Sequence, residues 1–198
     1  MDWCGFKEGN ESIETMEKLI RGYSYEDKQH AIVTDEKVCS LLVRGIREAK
    51  TKIFNIVELL YELEKKEPVS RHLQTLKDEL DIFSDEVKAR YCSWKELDGK
   101  WLKNLVSHDM KLVMGLKDLN EQLQKMYERV LNDRSLVSES DAHEKKLWQF
   151  IDKHLPEIAE NVDDLVVLFK EREGLCNLKP LSLDKTYEML QDKIDTEV

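Results

Sequence analysis

The feature that most constrains the fold is a long run of apolar residues at helical spacing. No proline lies between Pro68 and Pro156, and an apolar side chain recurs at every third or fourth position through most of that stretch. Steps of three and four average close to the repeat of an α-helix and far from the two-residue repeat of a strand. The chain also has only 3 Pro and 7 Gly, which leaves little material for the turns of a β protein. The sequence therefore predicts an all-α protein.

The predicted long helices have similar lengths. Thr34, with the acidic residues that follow it, is a good N-cap for a helix over 35–66. The apolar series over 69–132 gives two helices if the turn dipeptide Asp98-Gly99 breaks it, and another helix spans 140–172. Four helices of about 30 residues indicate an elongated antiparallel bundle with coiled-coil-like packing, connected up-down-up-down. The alternative is an unbroken helix over 69–132 inside a rod of helical hairpins, because the apolar steps cross Gly99 in phase.

The length of 198 residues suits a single all-α domain over 1–198. Residues 1–34 hold a short helix, about 11–21 and ended by Gly22, and then a linker. Residues 35–172 form the bundle, in which Pro156 is expected to kink or split the last long helix. Gly174 should end that helix, and residues 173–198 hold a short helix that begins at Ser182.

The charge is unevenly distributed along the chain. Its net charge is −10, and residues 135–198, with 8 basic and 15 acidic side chains, carry −7 of it. An acidic field repels nucleic-acid backbone and anionic lipid, so neither nucleic acid nor a membrane is an expected partner. A protein partner that meets this third of the chain should be basic or neutral.

The cysteines and the first residues bear on the compartment. The four Cys, at positions 4, 39, 92 and 176, lack metal-ligand spacing and do not make a disulfide-dense scaffold. The first residues have no basic stretch followed by an apolar run, as a signal peptide would. We therefore expect a reducing cytoplasmic location.

No motif for catalysis or cofactor binding stands out, so no catalytic residue, cofactor or metal is predicted. The chain has no Glu-x-x-His, the motif that carboxylate-bridged di-metal bundles use twice. His108 falls at an inward position when the apolar series is extended from Leu105 to Leu112, but no second group is positioned beside it. The aromatic residues around Trp94 and Trp101 fill a bundle end or line a pocket.

One stretch favours binding to another protein. Five consecutive apolar residues wrap the whole helix surface, so a single core cannot bury them all. These residues are Leu165, Val166, Val167, Leu168 and Phe169. The first hypothesis is a non-enzymatic scaffold or adaptor that acts through protein–protein contact and forms a homodimer. One alternative is a bundle that binds a small molecule or a metal, as an enzyme would, with its pocket near His108, Trp94 and Trp101. Another is a membrane-curvature scaffold, which the acidic charge disfavours.

Overall fold

The part of the protein that is described is almost entirely helical. The structure is a computed structural model and describes residues 10–61, 67–90, 99–137 and 141–176, which contain five α-helices and no strand. The helices are α1 (Asn10–Leu19), α2 (Lys28–Leu60), α3 (Glu67–Ala89), α4 (Gly99–Val137) and α5 (Asp141–Cys176). The predicted all-α class is confirmed. The four long helices match the predicted 30 residues only roughly, since α3 has 23 and α4 has 39.

The long helices form a bundle of two antiparallel hairpins that lie side by side. In the first hairpin, Asp35 near the start of α2 pairs with Arg90 just after α3, and Lys50 pairs with Asp81. In the second, α4 and α5 also run antiparallel, whereas α2 and α4 run parallel. α2 packs against α3 and α4, α5 packs against α4 and α3, and α1 packs on α4. Helix directions alternate as predicted, but α3 and α4 lie on the bundle diagonal, so consecutive helices are not all neighbours.

The long apolar segment contains a break, and the bundle is the correct alternative. α3 ends at Ala89 and α4 begins at Gly99, the glycine of the predicted turn. The unbroken helix is wrong because α2 packs against both α3 and α4. Apolar residues recur at steps of three and four on both sides of the break, because α3 and α4 each turn an apolar stripe toward the shared core.

The start of α2 corrects the predicted cap. The helix begins at Lys28, where the Asp27 carboxylate accepts a hydrogen bond from the His30 backbone N–H at 2.9 Å. Thr34 lies about two turns further along and is buried. Its hydroxyl accepts from the Ser24 backbone N–H at 3.0 Å and donates to the Ser24 carbonyl at 2.7 Å. Thr34 therefore holds the preceding segment against α2 instead of capping the helix.

The other predicted helix ends also need adjustment. α5 is one continuous helix through Pro156, so the predicted split is wrong, and it runs past Gly174 to Cys176. α2 ends at Leu60, earlier than predicted, and Pro68 lies in the first turn of α3, where a helix tolerates proline. Gly22 has the predicted positive φ of 70°, although α1 ends at Leu19. The helix predicted to begin at Ser182 lies outside the described residues.

The core is one continuous apolar cluster that all five helices share. Its central members on the long helices are Leu42, Ile46, Ile53, Leu80, Phe83, Leu105, Leu112, Leu123, Ile151, Ile158, Leu165 and Phe169. α2 and α4 lie close together at Gly45, where an added Cβ would lie 2.5 Å from Leu116 Cδ2. The Asn120 side-chain amide donates to the Gly45 carbonyl at 3.0 Å across this contact. The parallel pairing of α2 and α4 therefore depends on a residue without a side chain.

Candidate functional site

The most polar part of the interior is a buried cluster around Arg172, near the last turn of α5. We call it the Arg172 cluster. Its members come from the segment before α2, from α2, from just after α3, and from α4 and α5: Tyr23, Tyr25, Asp35, Cys39, Arg90, Asp109, Arg172 and Cys176. The cluster therefore joins most of the chain at one end of the bundle.

Two carboxylates share the Arg172 guanidinium. Arg172 Nε donates to Asp109 Oδ1, and Nη1 donates to Asp35 Oδ1 at 2.7 Å. Arg90 Nε donates to the other oxygen of Asp35 at 2.9 Å. Two cations and two anions thus balance, which is the condition under which a group of buried charges is tolerated.

Two tyrosines complete the coordination of Asp109. The hydroxyl groups of Tyr23 and Tyr25 donate to Asp109 Oδ2 at 2.7 Å and 2.6 Å. Their rings meet edge to face with centroids 5.4 Å apart. Asp109 therefore accepts hydrogen bonds on both oxygens from three side chains while it is fully buried.

Four side chains of the cluster, Tyr23, Tyr25, Cys39 and Arg172, are held in their ordinary neutral-pH forms. Burial, together with the Asp109 charge, raises the pKa of Tyr23 and of Tyr25 well above their usual value. Burial raises the pKa of the Cys39 thiol to about 12. Burial alone would lower the pKa of Arg172, but Asp109 and the other acidic groups around it hold that pKa well above normal. At neutral pH the cluster offers protonated donors and a paired cation instead of an activated nucleophile.

The sequence prediction placed the wrong residue of α4 inside. Asp109, not His108, occupies the buried position between Leu105 and Leu112. His108 lies beside the cluster and is partly exposed, with Nε2 3.1 Å from a Glu171 carboxylate oxygen and Nδ1 2.8 Å from the Asn104 carbonyl oxygen. The steps from Leu105 to Asp109 to Leu112 are four and three, so helical spacing itself marked Asp109.

The same signal was present in the other helices. Arg172 and Cys176 continue the apolar stripe of α5 at steps of three and four beyond Phe169, and Asp35 precedes Val38 by three on α2. A charged residue at an apolar stripe position indicates a buried, paired charge. Sequence reasoning ended the α5 stripe at Phe169 and therefore missed the cluster.

The five-residue apolar stretch is divided by the packing of α5. Leu165 and Phe169 belong to the core, and Val166 and Leu168 are partly buried against it. Val167 is 54% exposed. The stretch thus leaves one large apolar side chain on the outer face of α5, as expected for a run that wraps the whole helix.

A shallow groove of about 530 Å³ lies between the end of α1 and the outer face of α2. We call it the α1/α2 groove. Its apolar lining is Leu19, Ile20, Val33 and Leu41, and its polar lining is Arg21, Glu36, Lys37, Ser40 and Arg44. Lys37 Nζ donates to the Arg21 carbonyl at 2.8 Å, which keeps this ammonium at the edge of the groove. Three basic side chains and one acidic side chain surround an apolar floor.

No family model, curated protein or solved structure matches this chain. Within the described ranges, no group of three or more His, Cys, Asp or Glu side chains is placed to hold a metal ion. None of the helices in those ranges is both long and apolar enough to cross a membrane. Trp94 and the side chain of Trp101, the aromatic residues of the alternative pocket, lie outside the described residues.

Proposed function

We propose that this protein is a non-enzymatic helical scaffold that acts through protein–protein contact and associates with a second copy of itself. The observation that carries this proposal is the exposure of Val167 at 54% in the middle of the apolar stretch of α5. A large apolar side chain at that position gains free energy when a partner removes it from water.

A second exposed apolar residue extends this surface onto the neighbouring helix. Ile82 of α3 is 63% exposed. It lies one turn before Glu86, which approaches Lys170 of α5 at 3.8 Å. Since residues three and four apart share a helix face, Ile82 and Val167 lie on the side of the bundle that this ion pair marks. We call this side the α3/α5 face.

The α3/α5 face carries an ion pair that a two-fold contact can exchange between copies of the chain. Next to its exposed apolar residues lie the Lys170–Glu86 pair and exposed acidic residues, among them Asp85, Asp163 and Asp164. In a two-fold contact the same surface appears on both partners, so Lys170 of each copy can meet Glu86 of the other. The apolar residues then face each other in the centre, with charge pairs at the rim.

The test is a charge placed in the centre of the α3/α5 face. Val167→Glu would bury a carboxylate without a partner in the dimer, while in the monomer it stays in water. We expect sedimentation velocity to show a dimer for the wild type and a shift to monomer for Val167→Glu, with the circular-dichroism signal kept.

Phe54→Glu is the matched control, because Phe54 is 53% exposed but lies on α2, away from this face. It should leave the dimer intact. A wild type that sediments as a monomer, or an equal loss of dimer in Phe54→Glu, would contradict the proposal.

A further inference from the structure

We infer that the α1/α2 groove is a docking site for the chain's own residues 182–195, bound in cis. This inference concerns a different surface from the α3/α5 face and does not depend on self-association. It combines the place where α5 ends, the pattern of the residues that follow, and the charge of the groove.

The position of Cys176, the last residue of α5, brings the following chain to the correct end of the bundle. Cys176 Sγ lies 3.8 Å from Arg172 Nη1, which in turn donates to Asp35 of α2. Val33 and Glu36, which line the groove, flank Asp35 in sequence. Residues 177–181 can span up to about 17 Å when extended. Half the circumference of a helix that is about 10–12 Å across with its side chains is ~16–19 Å, so a fully extended 177–181 reaches about halfway around α2.

The residues after this connection have the apolar pattern of a groove-binding helix. Leu183, Tyr187, Leu190 and Ile194 follow one another at steps of four, three and four. This is the pattern of anchors by which an amphipathic helix lies in an apolar groove. As a helix, residues 182–194 would be ~18 Å long, and the α2 side of the groove, from Val33 to Arg44, is ~16 Å long. The segment therefore matches the groove in length.

The charges of the two surfaces are complementary. Residues 182–198 carry five acidic and two basic side chains. The groove carries Arg21, Lys37 and Arg44 against the single acid Glu36. Because the connection arrives near Val33, the segment would run parallel to α2. Its last acidic residues, Asp192 and Asp195, would then approach Arg44.

Hydrogen exchange on the full-length chain tests this docking. We expect the backbone amides of 184–194 to exchange roughly tenfold or more slowly than an unstructured chain. Val33→Glu places a negative charge in the groove against the acidic segment and should abolish this protection. Ile32→Glu is the matched control, since Ile32 is the adjacent residue, is similarly exposed at 39% against 42% for Val33, and does not line the groove. It should keep the protection.

A second pair of variants tests the segment side. Leu190→Glu should abolish the protection, and Gln191→Glu should keep it. Val167→Glu should also leave it unchanged, so failure of the α3/α5 dimer and failure of the docking are separate results.

Three outcomes would overturn the inference. The first is fast exchange of 184–194 in the wild type. The second is equal behaviour of Val33→Glu and Ile32→Glu, which would mean that the segment is not bound in the groove. The third is protection that disappears on dilution, which would assign the groove to the segment of a second copy, because a cis contact does not depend on concentration.

Discussion

Replacing Asp109 by Asn is the sharpest test of the Arg172 cluster. The substitution keeps the size of the side chain but removes its charge. Asp109 is fully buried and accepts from Arg172, Tyr23 and Tyr25. Without the carboxylate, Asp35 alone must balance the two cations, Arg172 and Arg90. Breaking a buried ion pair by removal of one partner costs about 3–5 kcal/mol of the free energy of unfolding.

Urea denaturation followed by circular dichroism measures this cost. In a thermal melt of a chain of this size, a loss of about 1 kcal/mol lowers the melting temperature by about 2–4 °C. We therefore expect the melting temperature of Asp109→Asn to fall by ~6–20 °C. Asp118→Asn is the control, because Asp118 is exposed on the same helix. It should unfold at the same urea concentration as the wild type.

A double-mutant cycle separates pairing from packing. Arg172→Met alone leaves the Asp109 charge with only tyrosine donors, and we expect a loss of similar size. The pair Asp109→Asn with Arg172→Met removes both charges, so it should lose less than the sum of the two single changes by about 0.5–3 kcal/mol. A loss below about 1 kcal/mol for Asp109→Asn, or a strictly additive double variant, would refute the account of the cluster as a paired buried network.

Two further predictions follow from the same packing. Gly45→Ala should lower the free energy of unfolding, measured by urea titration, by about 1–3 kcal/mol, since its Cβ would meet the buried Leu116 at 2.5 Å. Gly115→Ala is the control and should cost less, because its Cβ would meet its nearest neighbour at 3.1 Å. An equal cost of the two substitutions would contradict the close α2–α4 contact. The raised pKa of Cys39 means that the folded state retains a proton that the unfolded chain releases. The contribution of Cys39 to stability is therefore full below pH 9 and falls by up to ~1.4 kcal/mol per pH unit between about 9 and 12. Cys39→Ala should make this alkaline fall shallower, and an unchanged slope would contradict the assignment.

The proposals about surfaces rest on different observations from the interior. The α3/α5 face is argued from the exposure of Val167 and Ile82, and the α1/α2 groove from the exit of α5 at Cys176. The variants for each surface should leave the other unaffected. The two measurements, sedimentation and hydrogen exchange, therefore test two independent uses of the same bundle.

The sequence by itself determined the all-α class and the apolar stripe of each long helix, because both depend on local spacing along the chain. It also indicated a break between the two helices of the long apolar segment, the second of which begins at Gly99, and the unburied side of the Leu165–Phe169 stretch. These features follow from the helical repeat, which any window of the chain carries.

Only the tertiary structure decided which helices are neighbours and what the buried charges do. α2 packs against α4, which leaves α3 and α4 on the diagonal, and no local pattern reports the close approach of α2 to Leu116 at Gly45. Asp35, Asp109 and Arg172 are far apart in the sequence, and their stripe positions indicate that each is buried but not which charges pair. Their burial is tolerated because the fold brings opposite charges together, and that pairing is a property of the assembled bundle.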